Sequence, residues 1–569
     1  MSHSVSDVPT TPFADQCPGT SGLRKKVPIF QQKNYSENFI HSIFACPALR
    51  ERVAGSSIVI GSDGRYYSSD VIKTAIKIAA AHGVEHIYVA QHGLLSTPAC
   101  SIFIRKHKLF GGLLVTASHN PGGPDADLGI KWNAEAGQPA PLTITESIFE
   151  TSKSLCHYKI VQDLDVDLST IAQTSFTIKD TSEGRENTCV VDVFDGVEGY
   201  ISTMKTIFNF EEMKELITQF GFNLCLDPMH GVGAPYVKKI AELLGLGDKS
   251  IIHSTSDPSF GGLHPDPNLV WATDLVKIAI EEQKVDLGFA LDGDADRNLI
   301  LSRGHFVSPC DSVAVLALFS RHLPQFSGSN PLTGVARSMP TSAMLDDVAQ
   351  HLGISSYTVP TGWKFFCNLM DEGKVQLCGE ESFGCSSNLH REKDGCWKIL
   401  SMLQICLAKS KETGQKVLPF ELCREMWGVV GRRAFQRLDY EELETELANQ
   451  VFSQLYSVCN SFPSSGLSIP APHGTLRKAE DWTFIDEEGN AIPKQGIYFL
   501  FTDTSRVVFR KSGTGSTGAT IRIYLERKVE DSDDVERPTA ELVEKLKQFA
   551  VEISQIEKIT GRSEPTVIT

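Results

Sequence analysis

The fold of this chain is decided by one short stretch, Leu114-Val115-Thr116-Ala117-Ser118-His119-Asn120-Pro121. Its apolar and β-favouring residues run into a hydroxyl, an imidazole, an amide and a proline. A buried strand that meets Asn-Pro must end there, so the pattern predicts that Ser118 is presented at the carboxyl end of a strand. Ligands of open α/β sheets bind at that edge. Lys131 follows closely and could supply a base or a charge, although a lone turn serine that bonds its own backbone fits the same pattern.

A second motif lies far downstream, in Asp292-Gly293-Asp294-Ala295-Asp296-Arg297, directly after the apolar run 285–291. Three carboxylates at alternate positions of a loop can turn their oxygens toward one point, which suits a hard divalent cation. A calcium EF-hand is excluded, because it needs glycine and glutamate where Arg297 and Arg303 stand. Exposed acids in a solvated turn are the alternative. Magnesium prefers carboxylates together with a phosphate oxygen, so the loop indicates phosphoryl chemistry.

Composition narrows the class of protein. A chain of 569 residues is too long for one core, and three to five domains are expected. The formal charge of −16 argues against a nucleic-acid-binding protein. The 14 cysteines form no CxxC pair, as is typical of reduced thiols in a cytoplasmic protein. No apolar run is long enough to span a bilayer, and no signal peptide is evident, so we expect no membrane span.

Strand and helix patterns alternate along most of the chain. This rhythm predicts an α/β protein, with strands at 57–60, 86–90, 222–226 and 334–337 and helices at 70–82, 101–109, 235–244 and 342–352. From about residue 427 the pattern changes to strands with short turns, followed by a closing helix over 539–559. These changes of pattern predict four domains, with bounds 1–193, 194–308, 309–425 and 426–569.

A glycine-rich loop near the C-terminus separates two arginines. Gly513, Gly515 and Gly518 match the dinucleotide-binding pattern GxGxxG, which requires a helix to follow. The alternating, β-branched stretch 520–525 predicts a strand instead, so a dinucleotide site is excluded. A Gly/Ser/Thr loop between Arg510 and Arg522 suits the binding of a phosphate group.

Two further loops combine hydroxyls, acids and glycines. The segment 378–384, Cys-Gly-Glu-Glu-Ser-Phe-Gly, can accept and donate hydrogen bonds to sugar hydroxyls, and Thr361-Gly362-Trp363-Lys364 offers a hydroxyl and an amide beside an aromatic ring. Each of them alone is also compatible with an ordinary polar turn.

Taken in order, these motifs resemble the phosphoglucomutases of the α-D-phosphohexomutase superfamily, in particular its eukaryotic glucose-type enzymes. The resemblance rests on the segments 19–26, 116–124, 292–297, 360–366, 379–384, 391–395 and 560–569. Two departures stand out. Ala295 replaces the glycine of many relatives, and Cys385-Ser386-Ser387-Asn388-Leu389 differs from the commoner loop, which could alter sugar contacts.

The resemblance implies an architecture and a reaction. Three mixed α/β sandwich domains and a smaller C-terminal α+β domain would surround a central cleft, each contributing one loop. The implied reaction interconverts glucose 1-phosphate and glucose 6-phosphate, with glucose 1,6-bisphosphate as the intermediate. Ser118 would be the phosphoserine, and Mg²⁺ would be held by its phosphate together with Asp292, Asp294 and Asp296.

The resemblance also implies roles for other residues. Lys131, ranked before His119, would transfer protons, and Arg24 and Arg297 would steady charge. The implied substrate contacts are Arg24, Ser118, Asp296, Arg297, Thr361, Gly362, Glu380, Ser382, Lys393, Arg432, Arg510, Ser512, Gly513, Thr514 and Arg522. The expected partners are small sugar phosphates, and we expect a monomer in the cytoplasm.

Two other functions fit the same resemblance. One is a non-catalytic relative that serves as a cytoskeletal or vesicle-associated scaffold, in which the serine loop, the three aspartates or Lys131 would have decayed; all of them are intact here. The other is a phosphomannomutase or a glucose 1,6-bisphosphate synthase, which fold alone does not separate. The loop 380–387 would carry that difference.

Overall fold

The computed structural model describes residues 2–19, 21–182, 184–462, 474–486, 489–512, 518–529, 535 and 537–569. Within that part of the chain the strands form four larger sheets, of eight, four, four and six strands, and two small two-stranded sheets. Helices cover the first three larger sheets, which gives three α/β units and a C-terminal unit of different construction. In the described ranges no helix is both long and apolar enough to cross a membrane.

The first unit carries the eight-stranded sheet. Its elements are β1 (Ser2–Ser4), β2 (Ser6–Pro9), β3 (Leu23–Lys26), α1 (Val27–Phe30), α2 (Tyr35–Ala45), β4 (Ser57–Ser62), α3 (Ser68–Ala81), β5 (His86–Leu94), α4 (Thr97–His107), β6 (Gly111–Val115), β7 (Asp127–Asn133), α5 (Leu142–Ser152), β8 (His157–Ile160), β9 (Gln173–Asp180) and β10 (Arg185–Phe194). The sheet order is β1-β9-β10-β5-β4-β6-β7-β3. Strands β6 and β7 are antiparallel, with Leu114 opposite Lys131. This register brings Lys131 to the end of the sheet at which the Ser118 loop begins.

The second unit carries a four-stranded sheet in the order β11-β12-β13-β14. Its elements are α6 (Glu198–Ile207), α7 (Phe210–Phe220), β11 (Leu224–Asp227), α8 (Gly233–Leu243), α9 (Thr273–Val276), β12 (Leu287–Leu291), β13 (Asn298–Ser302) and β14 (His305–Val307). Every residue of β12 is buried, as its apolar run predicts. Strands β12 and β13 are antiparallel neighbours, so the loop between them, which carries Asp292, Asp294 and Asp296, is a tight connection at one sheet edge.

The third unit also has a four-stranded sheet, in the order β16-β15-β17-β18. Its elements are α10 (Pro309–Leu318), β15 (Gly334–Ser338), α11 (Met344–Leu352), β16 (Ser355–Val359), α12 (Trp363–Asp371), β17 (Leu377–Gly379), β18 (Cys385–Ser387), α13 (Gly395–Thr413) and α14 (Pro419–Val430). The Glu380 loop connects the antiparallel strands β17 and β18.

The C-terminal unit has a six-stranded sheet in the order β20-β23-β24-β25-β19-β26. Its elements are β19 (Arg432–Leu443), α15 (Thr445–Ser461), β20 (Leu476–Asp481), β21 (Phe484–Ile485), β22 (Ala491–Ile492), β23 (Ile497–Phe501), β24 (Arg506–Ser512), β25 (Ala519–Val529), α16 (Thr539–Ser554), α17 (Ile556–Thr560) and β26 (Val567–Ile568). The strand predicted after the glycine loop is confirmed as β25. The closing helix is interrupted at Gln555, whose φ of +51° ends α16.

The apolar cores divide the molecule unequally. One continuous cluster joins a face of the first sheet, through Leu95 and Leu114, to the second and third units, through Phe289 and Trp397. The C-terminal unit has a separate cluster around its own sheet and helices. The first three sheet edges are therefore held together by one shared core.

Candidate active site

Ser118 lies three residues beyond the end of β6, in a turn that aims its side chain at the second unit. Its φ of +53° is in the left-handed region, which is unusual for a residue with a Cβ. Its backbone N–H donates to Oγ1 of Thr116 at 2.8 Å. Its Oγ donates to Oδ2 of Asp292 at 2.8 Å. The buried serine of the first unit is thus in direct contact with the acidic loop of the second.

A buried ion pair that the sequence analysis missed holds the serine turn. Arg65 and Asp63 are both fully buried, and Arg65 Nε lies 2.9 Å from Asp63 Oδ2. The same guanidinium donates to the backbone carbonyls of Ser118 at 2.9 Å and Asp127 at 2.7 Å. Asp63 and Arg65 directly follow β4, the parallel neighbour of β6. Their position at the carboxyl edge of the sheet was the sequence signal that could have indicated a role at the site.

The three aspartates of the second unit converge. One carboxylate oxygen from each of Asp292, Asp294 and Asp296 lies within 4.8 Å of the others, and all three residues are buried. The backbone N–H groups of Asp296 and Arg297 donate to Asp292 Oδ1 at 3.0 Å. Ala295 has a φ of +63°, a backbone conformation that favours glycine, so an alanine occupies a left-handed position of the turn here.

The charges of this cluster favour a bound cation. Burial and the neighbouring Asp294 carboxylate raise the pKa of Asp292 well above its ordinary value. Burial acts in the same direction on Asp294, but Lys131 and the hydroxyl of Thr97 outweigh it and hold the pKa of that carboxyl at about 2. In the described structure, Oδ1 of Asp294 and Oδ1 of Asp296 are buried without a hydrogen-bond partner. Converging carboxylate oxygens of this kind fit a hard divalent metal ion.

Lys131 lies between two carboxylates that belong to different units. Its Nζ is 3.8 Å from Asp294 Oδ2 and 3.5 Å from Glu392 Oε1. Burial acts to lower the pKa of Lys131, but the carboxylates of Glu392 and Asp294 outweigh burial and raise it. Lys131 is therefore an ammonium group in this arrangement, and it places a positive charge beside the carboxylate cluster. None of the roles predicted from the sequence falls on Glu392.

His119 and two arginines surround the serine. His119 Nδ1 lies 3.4 Å from Ser118 Oγ. Burial, together with the charges of Arg297 and Arg24, lowers the pKa of His119 well below its ordinary value, so its ring is neutral. Among the described residues, neither the Nε of Arg24 nor that of Arg297 has a hydrogen-bond partner, although both atoms are buried. Two such N–H groups suit an anionic phosphate.

The Glu380 loop lies beside the acidic loop. Arg297 and Gly384 form an antiparallel bridge between them. Lys393 Nζ lies 3.1 Å from Asp296 Oδ2. Burial raises the pKa of Glu380, and the charge of Lys393 opposes that change. The sugar-binding residues predicted in the third unit are thereby placed next to the carboxylate cluster.

Two other predicted sugar contacts lie in the same region. The backbone N–H of Gly362 donates to Glu380 Oε1 at 3.3 Å. The hydroxyl of Thr361 is buried and, within the described ranges, has no hydrogen-bond partner. Ser382 is half-buried in the turn between β17 and β18. The unusual residues Cys385 to Ser387 form β18 and are buried, so their side chains do not line an open surface.

The predicted phosphate-binding residues lie on neighbouring strands of the C-terminal unit. Arg510 on β24 is directly opposite Arg522 on β25. Arg510 Nε donates to the Gln495 carbonyl at 3.2 Å. Arg522 Nε lies 3.5 Å from Asp439 Oδ2, and its charge contributes to the lowered pKa of His119. Ser512 ends β24, whereas Gly513 and Thr514 lie outside the described residues.

Arg432 stands apart from this group. Its guanidinium donates to the backbone carbonyls of Val535 and Arg537, both at 2.6 Å, and lies 4.6 Å from the ring centre of Trp427. These contacts tie the start of β19 to the segment before α16. The structure therefore gives Arg432 a role in joining elements of the fold and does not bring it to the serine and carboxylate cluster.

Comparisons with known proteins cover the whole chain. Four family models match it in order: phosphoglucomutase/phosphomannomutase α/β/α domain I at residues 15–158, domain II at 198–304, domain III at 311–421, and the phosphoglucomutase-1 C-terminal domain at 432–566. A relative from Bromus inermis, named phosphoglucomutase, cytoplasmic, is 44% identical over 591 residues and covers 100% of both chains. A protein of the same name from Pisum sativum is 44% identical and covers 100% of this chain and 99% of its own.

A solved structure has the same architecture. The exocytosis-sensitive phosphoprotein pp63/parafusin of Paramecium, described as a phosphoglucomutase in its open form, matches with a TM-score of 0.89. It is 39% identical to this chain, and the match covers 100% of each chain. The four-unit arrangement seen here is thus also the arrangement of a protein with a solved structure.

Proposed function

Because the chain belongs to the phosphoglucomutase/phosphomannomutase family, we propose that it is a cytoplasmic phosphoglucomutase, which interconverts α-D-glucose 1-phosphate and glucose 6-phosphate. The observation that carries this proposal is the 2.8 Å hydrogen bond from Ser118 Oγ to Asp292. It places a nucleophilic hydroxyl against a cluster of three carboxylates that fits a metal ion. Phosphoryl transfer needs a positioned oxygen and charge stabilisation, and both are present in this contact.

Ser118 would carry the phosphoryl group in the resting enzyme. It would donate that group to the free hydroxyl of the sugar phosphate, which gives glucose 1,6-bisphosphate and leaves the serine free. The bisphosphate would turn around and return its other phosphate to Ser118. Asp292, Asp294 and Asp296 would hold Mg²⁺, which when bound would neutralise charge on the transferring group.

The other residues near Ser118 would assist proton transfer and bind the phosphate oxygens. The ammonium group of Lys131 would donate a proton or positive charge at the reacting oxygens, and we rank it before the neutral His119 for proton transfer. Arg24 and Arg297 would donate their buried Nε–H groups, which make no hydrogen bond among the described residues, to phosphate oxygens.

The remaining units would hold the sugar and the second phosphate. Glu380 and Ser382, with Thr361, Gly362 and Lys393, would bind sugar hydroxyls in both orientations. Arg510, Ser512 and Arg522, with Gly513 and Thr514, would bind the phosphate that does not react. We propose the domain bounds 1–193, 194–308, 309–425 and 426–569, and a monomer as the working state.

A coupled assay tests this proposal. The purified protein, with Mg²⁺, should form glucose 6-phosphate from glucose 1-phosphate, and glucose 1,6-bisphosphate should raise the rate by rephosphorylating any free Ser118. Mannose 1-phosphate in place of the glucose compound separates a phosphomannomutase. No turnover with either sugar would favour the scaffold role, which the assembled serine, aspartates and Lys131 disfavour.

A further inference from the structure

The first and third units meet at one buried carboxylate, Glu392, to which the proposed reaction gives no role. It lies between β18 and α13 and is only 2% exposed. Its Oε1 accepts a hydrogen bond of 2.9 Å from Asn133 Nδ2. The same oxygen lies 3.5 Å from Lys131 Nζ. Lys131 and Asn133 are alternate residues of β7 and point to the same face of the sheet, so one carboxylate reaches both.

A second carboxylate, from another unit, also lies near the ammonium group of Lys131. Asp294 Oδ2 lies 3.8 Å from Lys131 Nζ and accepts a hydrogen bond of 2.7 Å from Thr97 Oγ1. A lysine side chain has a long flexible stem and a compact charge, so with a single partner its ammonium group can occupy several positions. Two carboxylate partners restrict the position of that group more than one does. Asp294 belongs to the acidic loop, whereas Glu392 belongs to the third unit.

We propose that Glu392 is a positioning residue for Lys131. It holds the ammonium group at the reacting centre, and the hydrogen bond from Asn133 holds Glu392 in turn. The position of Lys131 therefore depends on how the third unit packs against the first. The third unit also carries the loop that we propose to bind the sugar. This inference rests on the proposed function, in which Lys131 acts beside Ser118.

A purely structural role is the competing explanation, because the bond from Asn133 alone would join β7 to the third unit. Glu392→Gln separates the two. Its side-chain oxygen still accepts the hydrogen bond from Asn133, but the negative charge beside Lys131 is lost. A structural role predicts that this variant works normally, whereas a positioning role predicts slower chemistry with substrate binding preserved.

The experiment measures kcat and KM for glucose 1-phosphate in the Mg²⁺-loaded, phosphorylated full-length enzyme. In Glu392→Gln we expect kcat to fall about tenfold, a fraction of what proton transfer contributes, with KM within about twofold. When Lys131→Gln is already present, adding Glu392→Gln should lower kcat almost no further, because the two residues act as a unit. Glu425→Gln is the control, since it removes the negative charge from the Lys409–Glu425 pair, whose atoms lie 2.9 Å apart. That pair is not part of the site, so kcat should stay unchanged.

The outcomes separate this inference from the proposed function. An inactive wild-type enzyme contradicts the function itself. With an active wild type, an unchanged kcat in Glu392→Gln overturns the positioning role, and so do independent losses that multiply in the double variant. If Glu392→Gln does not fold, Asn133→Ala serves as the test, because it removes the hydrogen bond that holds Glu392 and keeps the negative charge of Glu392. Its kcat should fall by a smaller factor, and an unchanged kcat overturns the proposal.

Discussion

The centre around Ser118 and the arginines of the C-terminal unit that we propose to bind phosphate are built in different ways. Ser118 is held by a hydrogen bond at its N–H, another at its carbonyl and a third at its Oγ. Arg510, in contrast, is half-buried and donates to one carbonyl, that of Gln495. Arg522 has one carboxylate nearby and a buried Nε without a hydrogen-bond partner in the described ranges.

The cores repeat this difference on a larger scale. The first three units share one apolar cluster, and the C-terminal unit has its own. A reaction that moves a phosphoryl group needs its oxygens fixed before substrate arrives, and a shared core supplies that rigidity. In the proposed reaction the second phosphate is bound in two sugar orientations. The buried Nε of Arg522, which has no hydrogen-bond partner among the described residues, is available for such a phosphate. The comparison predicts loss of chemistry at the first region and loss of capture at the second.

The largest effect is expected for Ser118→Ala, which should abolish mutase turnover. The variant removes the hydroxyl that contacts Asp292, which the proposed reaction uses to carry the phosphoryl group. Intact-mass measurement of the wild type should show a phosphate adduct that is missing in the variant. Peptide mapping of that adduct to any other residue would overturn the assignment.

Arg65→Met should reduce both stability and kcat. It leaves the buried Asp63 carboxylate unpaired, which costs about 3–5 kcal/mol in comparable buried pairs, and it frees the carbonyl of Ser118. The check is denaturant unfolding together with kcat at a temperature where the variant is folded. Arg50→Met, at an exposed Arg50–Glu51 pair, is the control and should change stability by about 0–1 kcal/mol. A stable variant with normal kcat would show that the serine turn needs no such support.

Local patterns in the sequence predicted much of this site. The serine turn and the acidic loop each follow a strand whose end is marked by neighbouring residues, so patterns within a few residues are enough to predict them. Glu392 was missed because its partner Asn133 lies 259 residues away, and no local pattern reports such a contact. The break in the closing helix was missed because glutamine, not glycine, occupies the left-handed position at Gln555. The structure ties Arg432 to the backbone carbonyls of Val535 and Arg537, about a hundred residues away, and no local pattern reports such contacts either.

The smallest of these effects is expected in the C-terminal unit. Arg522→Ala should weaken substrate capture, since a charge-assisted hydrogen bond is worth roughly 1.5–3 kcal/mol. Arg510→Ala should show the same pattern, and kcat can fall somewhat because the remote phosphate orients the sugar. The measurement is kcat/KM for glucose 1-phosphate, compared with phosphorylation of the enzyme by a small phosphoryl donor that carries no sugar phosphate.

The small donor should be affected much less than glucose 1-phosphate in both variants. Arg527→Ala, on the same strand as Arg522 and bonded to the Leu542 carbonyl, is the matched control and should leave the ratio of the two substrates unchanged. Equal losses with both donors would mean that these arginines serve the reacting centre or the fold, and the contrast between the two regions would disappear.

The central claim is that Ser118 passes its phosphoryl group to the sugar during turnover. Enzyme that carries a radioactive phosphate at Ser118, mixed with unlabelled glucose 1-phosphate and stopped at short times, tests it directly. The account predicts that label leaves the serine and appears in glucose 1,6-bisphosphate at least as fast as the enzyme turns over. Label that stays on Ser118 while glucose 6-phosphate accumulates would contradict it.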